Sequence, residues 1–430
     1  MAFMRSLFAG VSALRNHQTM MDVIGNNISN INTIGFKSGR TTFAEMYAQT
    51  IQGASRPTDT TGGSNPMQVG LGMSISTVDN VFTQGSIEST MNPFDMAIRG
   101  SSFFVVNQGG QTMYTRAGNF GIDASGKVVN GGSGAVLQGK LADANGVIPS
   151  GNTLQDIIIN RDVKSPAKAT TFIKYSGNLD ASAAIYSPGP PESGGKTTST
   201  INAYDSLGAR VPVTLTFTKT GANSWDWSAA VPDPAPATTS TNVGSGTITF
   251  NTDGTLQSAL PPPLTITPTS GADPLSISLD FGTPSPTAPG VFSGITQTSA
   301  DSGISTREMD GYASGTLLSV SVDKNGLVEG AFSNSTRQSL AQIMLAEFNN
   351  PGGLLRSGDN AYGVSGNSGT PAILEAGESS QIYSNSLEQS NVDLADEFTK
   401  MITAQRGFQA SARIITTSDE FLQEVVNLKR

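Results

Sequence analysis

Apolar residues recur at alternating intervals of four and three along the last forty positions of the chain, residues 391–430. Eight of the ten stripe positions are apolar: the stripe comprises Leu394, Phe398, Met401, Gln405, Phe408, Ala412, Ile415, Asp419, Leu422 and Val426. Such spacing predicts one long helix with a narrow apolar seam of the coiled-coil type. At 1.5 Å per residue it would be about 55–60 Å long. The seam packs either on the core of its own chain or on another long helix, and its narrowness favours the helix.

The ends of this helix also have signals in the sequence. Asn391 is a suitable N-cap, and Asp393, Asp396 and Glu397 place negative charge in the first turns, where the helix dipole favours it. Lys429 and Arg430 place positive charge at the other end.

The N-terminus carries a second seam with the same alternation. Its positions, six of eight apolar, are Met4, Leu7, Val11, Leu14, Gln18, Met21, Gly25 and Ile28. We expect a helix over about residues 3–33, a left-handed stop at Gly35 and Phe36 folded back on the last turn. The two seams can pair with each other, which requires the middle of the chain to bring its ends together. Isolated helices are marginal in water, so we expect both termini to be mobile in the monomer and ordered on assembly.

Between the helices the pattern changes to strands and turns. Residues 37–90 are a connecting segment with a short helix at 42–51, a polar loop at 53–66 and strand-like alternation at 67–84. Residues 91–165 contain strand patterns at 94–100, 103–106, 114–120 and 136–139, and residues 304–385 contain a hairpin at 316–332 and a strand at 343–348. These two stretches are the halves of one split β domain.

Residues 166–303 are expected to form a whole β domain inserted between those halves. Strand patterns at 211–217, 225–227, 247–250 and 275–281 alternate with loops rich in Pro, Gly and Thr. The fold class is therefore α+β and multidomain: nested β domains lie between paired terminal helices, with residues 1–36 and 386–430 forming the helical part.

Composition supports this organisation and excludes several functions. A chain of 430 residues needs two to four domains, and 14% charged residues with 48 Gly and 22 Pro suit a protein rich in strands and turns. The net charge of −9 argues against nucleic-acid binding, the absence of Cys excludes disulfides, and no apolar run is long enough for membrane insertion. Residues 6–14 are apolar but are followed by polar residues without a cleavage motif, so we expect no cleaved signal peptide.

The sequence offers no candidate catalytic or cofactor site. Its only histidine, His17, lies beside the N-terminal seam, and phosphate-binding and nucleophile-elbow motifs are absent. Asp-x-x-Gly groups at 123–126, 143–146 and 323–326 are scattered one per hairpin, so they are interpreted as turns and not as calcium loops. We predict that the protein is not an enzyme and has no metal or cofactor.

Short motifs at both ends resemble a known family. Residues 24–30 are IGNNISN and residues 33–37 are TIGFK; residues 387–394 are LEQSNVDL and residues 401–409 are MITAQRGFQ. In this order they resemble the terminal signatures of the bacterial flagellar rod and hook proteins. The signature positions are Gly25, Asn26, Asn27, Gly35, Phe36, Asn391, Asp393, Gln405 and Arg406.

The resemblance implies a structural subunit of the flagellar axis that polymerises with copies of itself. It implies export through the flagellar type III apparatus, an extracellular location, and contact with rod, hook-cap and hook–filament junction proteins. The assembly interface would comprise Leu7, Val11, Leu14, Met21, Ile28, Leu394, Phe398, Met401, Phe408, Ala412, Ile415, Leu422 and Val426. The central β block favours the hook, which is the flexible joint between rod and filament. The long segment at 44–66 looks more like the distal rod.

Two alternatives remain besides the hook. One is the distal rod, and the other, from a different class, is a secreted β-rich adhesin with binding loops in residues 166–303. An enzyme such as a polysaccharide lyase is opposed by the missing catalytic groups.

Overall fold

The computed structural model describes residues 2–151, 153–232, 240–257, 261–268, 271–284, 294–377 and 379–427, with side chains from residue 5 onward. It has two long helices, α1 (Ala2–Ser29) and α2 (Leu394–Asn427), separated by strands. The fold is α+β. The chain divides into two compact units: the first comprises residues 1–161, 320–330 and 339–430, and the second comprises residues 162–319 and 331–338.

The strands before the second unit are short. In chain order they are β1 (Gly39–Glu45), β2 (Ala48–Gln52), β3 (Met67–Gly70), β4 (Met73–Asn80), β5 (Ile87–Ser89), β6 (Met96–Arg99), β7 (Phe103–Gln108), β8 (Gln111–Thr115), β9 (Phe120–Ile122), β10 (Val128–Asn130), β11 (Val136–Leu141) and β12 (Gln155–Asp156).

Longer strands follow. They are β13 (Lys164–Ser165), β14 (Phe172–Asp180), β15 (Lys196–Tyr204), β16 (Arg210–Gly221), β17 (Ser224–Pro232), β18 (Ser240–Thr249), β19 (Leu264–Ile266), β20 (Leu275–Asp280), β21 (Ile295–Thr298), β22 (Gly303–Met309) and β23 (Gly315–Val322). The chain then returns through β24 (Leu327–Phe332), β25 (Arg337–Glu347), the 3₁₀ turn Pro351–Gly353, β26 (Leu355–Gly358), β27 (Ala361–Gly363), β28 (Ala372–Glu375), β29 (Gln381–Ser384) and β30 (Ser386–Glu388).

In the first unit, strands from both ends of the chain pair with one another. β7 pairs with β8, β11 and β25, while β6 pairs with β29 and β5 with β30, each antiparallel. An aromatic core fills this sheet, in which Phe103, Tyr114, Phe348 and Tyr362 meet edge to face with ring centroids 4.8–5.9 Å apart. Because early strands pair with late strands, the segment that follows α1 and the segment that precedes α2 are both attached to the same β structure.

The second unit has two sheets that share one apolar core. One is the antiparallel sheet β15–β16–β17–β18, and the other orders β19–β20–β14–β21 with β22 beside β14. Along β16, Val213, Leu215 and Phe217 are buried while the threonines between them face outward. This alternation is the pattern from which a strand is predicted over residues 211–217, and that prediction is confirmed.

The Asp-x-x-Gly groups form one repeated turn. In each, the Gly N–H donates to the Asp carbonyl at 3.0–3.1 Å and the Gly adopts a φ of 76–83°; the turns begin at Asp123, Asp143, Asp205 and Asp323. The Asp carboxylate also accepts from the backbone N–H two residues later, which satisfies a donor at the turn. The interpretation of the three predicted groups as turns is confirmed, and residues 205–208 are a fourth example.

The helix predicted at residues 42–51 is wrong. Residues 39–45 form β1, which pairs antiparallel with β4, and residues 48–52 form β2, which pairs with β3. Thr42 lies opposite Thr77, and their hydroxyl oxygens are 2.6 Å apart. Threonine and aromatic residues suit a strand when a partner is present, and β3 and β4 supply that partner.

Helix α1 ends at Ser29, four residues before the predicted end. The carbonyl of Asn26 accepts from Ser29 Oγ and Asn30 Nδ2, both at 2.9 Å, and the next backbone bonds span three residues. Short polar side chains compete for backbone groups in this way and so terminate the helix. Gly35 does have positive φ, 69°, but it is not the cap of α1.

The start of α2 also differs from the prediction. Its N-cap is Asp393, whose Oδ1 accepts from the N–H groups of Ala395 at 2.8 Å and Asp396 at 3.2 Å. Asn391, predicted as the cap, is bonded elsewhere. The predicted charges at Lys429 and Arg430 lie outside the described residues.

Candidate assembly interface and its anchoring site

Helices α1 and α2 pack against each other and run antiparallel. Ser6 Oγ lies 3.3 Å from Ser418 Oγ near one end, and Asn27 Nδ2 donates to Glu397 Oε2 at 3.1 Å near the other. Between them, a methyl group at Gly10 would lie 3.1 Å from Ile415 Cγ1. Small residues therefore let the two backbones approach closely along the pair.

The face of α2 that meets α1 follows a seven-residue repeat. Its buried residues are Glu397, Ala404, Ser411 and Ser418, and half-buried residues four positions later are Met401, Phe408, Ile415 and Leu422. The latter four belong to the seam that the apolar stripe predicts. The buried residues Glu397, Ala404, Ser411 and Ser418 do not belong to that seam. The stripe predicts apolar side chains at the contact, whereas small side chains and one carboxylate occupy the positions closest to α1. A repeat of Ala and Ser at intervals of seven is the signal in the sequence that marks them.

The other predicted seam residues lie at different exposures. On α2, Ala412 is half-buried, whereas Leu394, Phe398, Gln405, Asp419 and Val426 are exposed. On α1, the half-buried positions are Leu7, Leu14, Met21, Gly25 and Ile28, and the exposed ones are Val11 and Gln18; the side chain of Met4 lies outside the described ones. Sequence reasoning missed Ile24, which is buried on α1.

The signature residue Asn27 joins three segments. Its side chain is buried, donates to Gly39 O and accepts from Gly39 N, both at 2.8 Å, and reaches Glu397 on α2. Lys400 Nζ in turn lies 3.0 Å from the other Glu397 oxygen. Asn27 thus acts as a strand-like partner for Gly39 while holding the first turns of α2. By contrast, Asn26 is exposed, and a methyl group at Gly25 would meet nothing within 4 Å.

The signature residue Asn391 holds the entry to α2. Its Oδ1 accepts from Ser38 N at 2.8 Å, and its Nδ2 donates to Val81 O at 2.8 Å and Thr83 Oγ1 at 2.9 Å. The amide therefore connects the segments that follow α1 and β4 to the one that precedes α2. Gln405 and Arg406, further along α2, are exposed.

Gly35 and Phe36 fit closely on the β domain. A methyl group at Gly35 would lie 2.6 Å from Ala117 N, and its own N–H donates to Glu388 O at 2.8 Å. With φ at 69°, this position requires glycine on both conformational and steric grounds. Phe36 is buried, with the Arg356 guanidinium 5.0 Å from its ring centroid.

A fully buried charge cluster lies beneath these residues. Glu388 Oε1 is 2.5 Å from Lys37 Nζ and accepts from Gly85 N at 2.9 Å, and Glu388 Oε2 is 3.5 Å from Arg116 Nη1. Lys37 also donates to Thr83 O at 2.7 Å, and Arg116 donates to Gly100 O at 2.6 Å. We call Lys37, Arg116 and Glu388 the anchor triad. It connects the chain after α1, the β domain and the chain before α2.

Burial dominates the electrostatics of the anchor triad. Desolvation lowers the pKa of Lys37 from its ordinary value of 10.5, and the Glu388 carboxylate acts in the opposite direction. Desolvation likewise lowers the pKa of Arg116, again opposed by Glu388. Glu388 is therefore the group that keeps two buried cations charged, and its removal leaves both without a counterion.

Few side chains in the part of the chain that the structure describes are arranged as a candidate catalytic or metal-binding site. That part contains no group of three or more His, Asp or Glu side chains arranged to hold a metal ion. Over the same residues, no helix has the length and hydropathy needed to span a bilayer.

Comparisons with protein families cover both ends and the middle of the chain. Residues 7–37 match the flagella basal body rod protein family, and residues 97–172 match the flagellar hook protein FlgE/F/G D1 domain. Residues 178–312 match the flagellar basal body protein FlaE D2 domain, and residues 383–428 match the flagellar basal body rod FlgEFG protein C-terminal family.

Individual relatives match over almost the whole length. The flagellar hook protein of Borreliella burgdorferi is 39% identical, over 99% of this chain and all of that relative. The hook protein of Treponema pallidum is 37% identical over the same shares. The flagellar basal-body rod protein of Bacillus subtilis is 29% identical, over 99% of this chain and all of that relative.

One solved structure is similar in fold. The crystal structure of a Helicobacter pylori flagellar hook protein gives a TM-score of 0.51 at 15% identity, covering 70% of this chain and all of that one. The comparisons do not favour the distal rod or an adhesin, since the two hook relatives are 39% and 37% identical whereas the rod relative is 29% identical over the same length. The chain therefore belongs to the flagellar hook protein family, as a structural subunit of the hook.

Proposed function

We propose that the subunit polymerises through the α1–α2 pair, which contacts the helices of other copies as a coiled coil. The observation that carries the proposal is the exposed apolar surface of α2. Its exposed apolar residues are Leu394, Phe398, Ile402, Ile414, Phe421, Val425 and Val426, with exposures of 42–66%. Packing against α1 covers one face only, so burying these side chains against other copies supplies the driving force for assembly.

The two sets of seam residues take different roles in this proposal. Met401, Phe408, Ile415 and Leu422 hold α2 on α1 inside one subunit. Leu394, Phe398 and Val426 on α2, together with Val11 on α1, are exposed and face other subunits. Phe8, exposed at 63%, lies one turn before Val11 and extends that surface. The remaining seam residues are half-buried and contribute to the contact between the two helices. They are Leu7, Leu14, Met21, Ile28 and Ala412.

We further propose that four parts of the chain have different roles in the subunit. Residues 1–36 and 386–430 form the cohesive helical base, and residues 37–90 connect it to the β domains. Residues 91–165 with 304–385 form the split β domain, and residues 166–303 form the inserted one. In the hook, a curved tube that joins rod to filament and transmits torque, the β domains contact their neighbours through lightly charged surfaces.

Membership in the hook family supports proposals about partners and export. The subunit binds copies of itself, and at the two ends of the tube it meets rod, hook-cap and hook–filament junction proteins. We propose that it leaves the cell through the flagellar type III apparatus with α1 retained. The packing of α1 on α2, β1 and β4 supports retention, since cleavage would remove the partner of the small-residue face of α2. Before assembly we expect the two helices to stay paired within the subunit and the pair to be mobile as a whole, with the anchor triad as its fixed point.

The Phe398→Asp variant tests the interface between subunits. Because Phe398 is 48% exposed, the change should leave the monomer folded while placing a charge in a surface that other copies must cover. We expect tubes visible by negative-stain electron microscopy for the unchanged protein and none for the variant, with identical thermal unfolding of the β domains. Thr399→Asp, one residue away and also exposed, adds the same charge outside the stripe and should still assemble. Normal tubes from Phe398→Asp would contradict the proposed interface.

A further inference from the structure

The exposed apolar residues of the helix pair lie at its two ends. The anchor-side group begins six residues after Glu388 and has exposures of 42–53%; it comprises Leu394, Phe398 and Ile402. The free-end group lies at the other end, where Ser6 meets Ser418, and has exposures of 38–66%. It comprises Phe8, Val11, Ile414, Phe421, Val425 and Val426.

The surface between the two groups is polar or small. Residues 403–413 of α2 are all described by the structure, and their exposed members are Thr403, Gln405, Arg406, Gln409, Ala410 and Arg413. On α1 the exposed members of residues 12–29 are Arg15, Gln18, Asp22, Asn26 and Ser29. From Phe398 to Phe421 the helix advances about 35 Å. The helix pair therefore presents two separate apolar surfaces to other copies and not one continuous stripe.

The two halves of the helix pair also differ in charge. The anchor-side half, residues 16–29 and 393–405, contains one basic and four acidic residues, a formal charge of −3. The free-end half, residues 5–15 and 406–427, contains four basic and three acidic residues, a formal charge of +1, and two further basic residues follow at 429–430. Charge complementarity therefore favours contact between unlike halves, and repulsion opposes contact between two anchor-side halves.

The direction of the subunits in the tube leads to the same pairing. This step rests on the proposed function, in which the hook joins the rod at one end and the filament at the other. A tube with two different ends must be built from copies that all point the same way. Contacts between identical surfaces reverse the direction of successive copies, whereas contacts between two different surfaces preserve it and give open helical polymers.

We propose that the free-end group of one subunit packs on the anchor-side group of another subunit, so that helix pairs join head to tail. The apolar side chains of both groups leave water in this contact, and the opposite charges of the two halves orient the approaching subunit. Each contact leaves one free-end group and one anchor-side group exposed at the outer ends of the pair of subunits. Growth therefore continues in both directions along the row.

Two complementary defects test the contact. Phe398→Asp disables the anchor-side group, and Val425→Asp, at a site that is 49% exposed, disables the free-end group. Each variant alone should remain monomeric. An equimolar mixture should form a dimer that does not grow, because each variant retains the group that the other lacks. Analytical ultracentrifugation of the full-length proteins measures the mass, which should double in the mixture.

Control variants carry the same charge at neighbouring polar sites. Thr399→Asp lies in the anchor-side half and Thr416→Asp in the free-end half, both at exposed positions, and each should form tubes as the unchanged protein does. Phe8→Asp is a second free-end variant that leaves the sequence of α2 unaltered. It should also remain monomeric alone and dimerise with Phe398→Asp.

The absence of Cys from the chain allows the contact to be probed in assembled tubes as well. Ile402→Cys and Val425→Cys each place a single thiol in one of the two groups. After oxidation, tubes assembled from an equimolar mixture should yield disulfide-linked dimers, and tubes of either variant alone should yield none. This measurement does not depend on the strength of a single contact in solution.

The outcomes separate the pairing from the proposed function. Dimers of one aspartate variant alone, or disulfide-linked dimers in tubes of one cysteine variant alone, would show contact between identical groups and overturn the pairing. A mixture that gives neither dimers nor mixed disulfides would also overturn it. If both aspartate variants still formed tubes, the helix pair would not be the polymerising surface, and the proposed function itself would be wrong.

Discussion

Replacing Glu388 with glutamine is expected to lower the free energy of unfolding of the first unit by about 3–5 kcal/mol, the range for breaking a buried ion pair from one side. Glutamine keeps the shape and the contact with Gly85 N but leaves Lys37 and Arg116 as buried cations without a counterion. The cost is large because all three side chains are inaccessible to water, with exposures of 0–1%. Denaturant unfolding monitored by circular dichroism measures it.

The defect should depend on pH in one direction. Without Glu388, the negative charge that opposed desolvation is lost, so the pKa of Lys37 falls further below 10.5 in the folded state. The unfolded chain then binds more protons than the folded one between these two values, and stability rises with pH across that interval. The variant should recover part of its loss in alkali, whereas Lys37→Met combined with Glu388→Gln should not show that recovery.

A matched control tests whether the loss of stability comes from removing a carboxylate at any position or from removing one that is buried. Glu88→Gln changes the paired strand β5 at an exposed site, where the carboxylate accepts from Gln389 Nε2 at 2.9 Å, and should cost much less. A loss for Glu388→Gln as small as that of Glu88→Gln would show that the anchor triad does not hold the two chain ends.

Replacing Phe408 with aspartate is expected to detach α2 from α1 and to abolish tube formation. Phe408 lies half-buried on the face of α2 that meets α1, next to the small residues Ala404 and Ser411. The change removes an apolar contact of roughly 1.5–3 kcal/mol and adds the cost of desolvating a carboxylate. Limited proteolysis should cleave α2 in the variant and spare it in the unchanged protein, while the second unit unfolds at an unchanged temperature.

Gln409→Asp is the control for this change. Gln409 is exposed on the same turn of α2, so the added charge meets water and the helix pair should persist. If Phe408→Asp left α2 protected from proteases but still blocked tubes, Phe408 would contact another subunit and not α1.

Some strands and turns could be predicted from the local sequence alone, because a single local pattern is enough to define them. The alternation along 211–217 predicts a strand because buried and outward side chains must alternate on any sheet with one solvated face. The Asp-x-x-Gly turns are predictable because the carboxylate bonds to the backbone two residues later and glycine supplies the positive φ, both within five residues.

Other features depend on residues hundreds of positions away. Residues 42–51 carry threonine and aromatic residues that fit a strand only when β3 and β4 are beside them, so a local pattern favoured the wrong element. The cap of α2 moved from Asn391 to Asp393 because the Asn391 amide is used by Ser38, Val81 and Thr83, which no local rule reveals. The anchor triad is likewise invisible in sequence, as its members are separated by 79 and 272 positions (116 − 37 and 388 − 116).

By itself the sequence determined that two long amphipathic helices lie at the ends of a chain whose middle is β-rich, since the periods of apolar residues follow from helix and strand geometry alone. Its terminal motifs also determined the family. Only the tertiary structure decided which face of α2 meets α1, because Ala404, Ser411 and Ser418 are buried there and the His17 side chain occupies the space beside Gly407, and a hydrophobic stripe does not reveal where side chains must be small. It also decided where the helices are fastened, because a buried ion cluster is stable only when segments that are remote along the chain supply all of its partners at once.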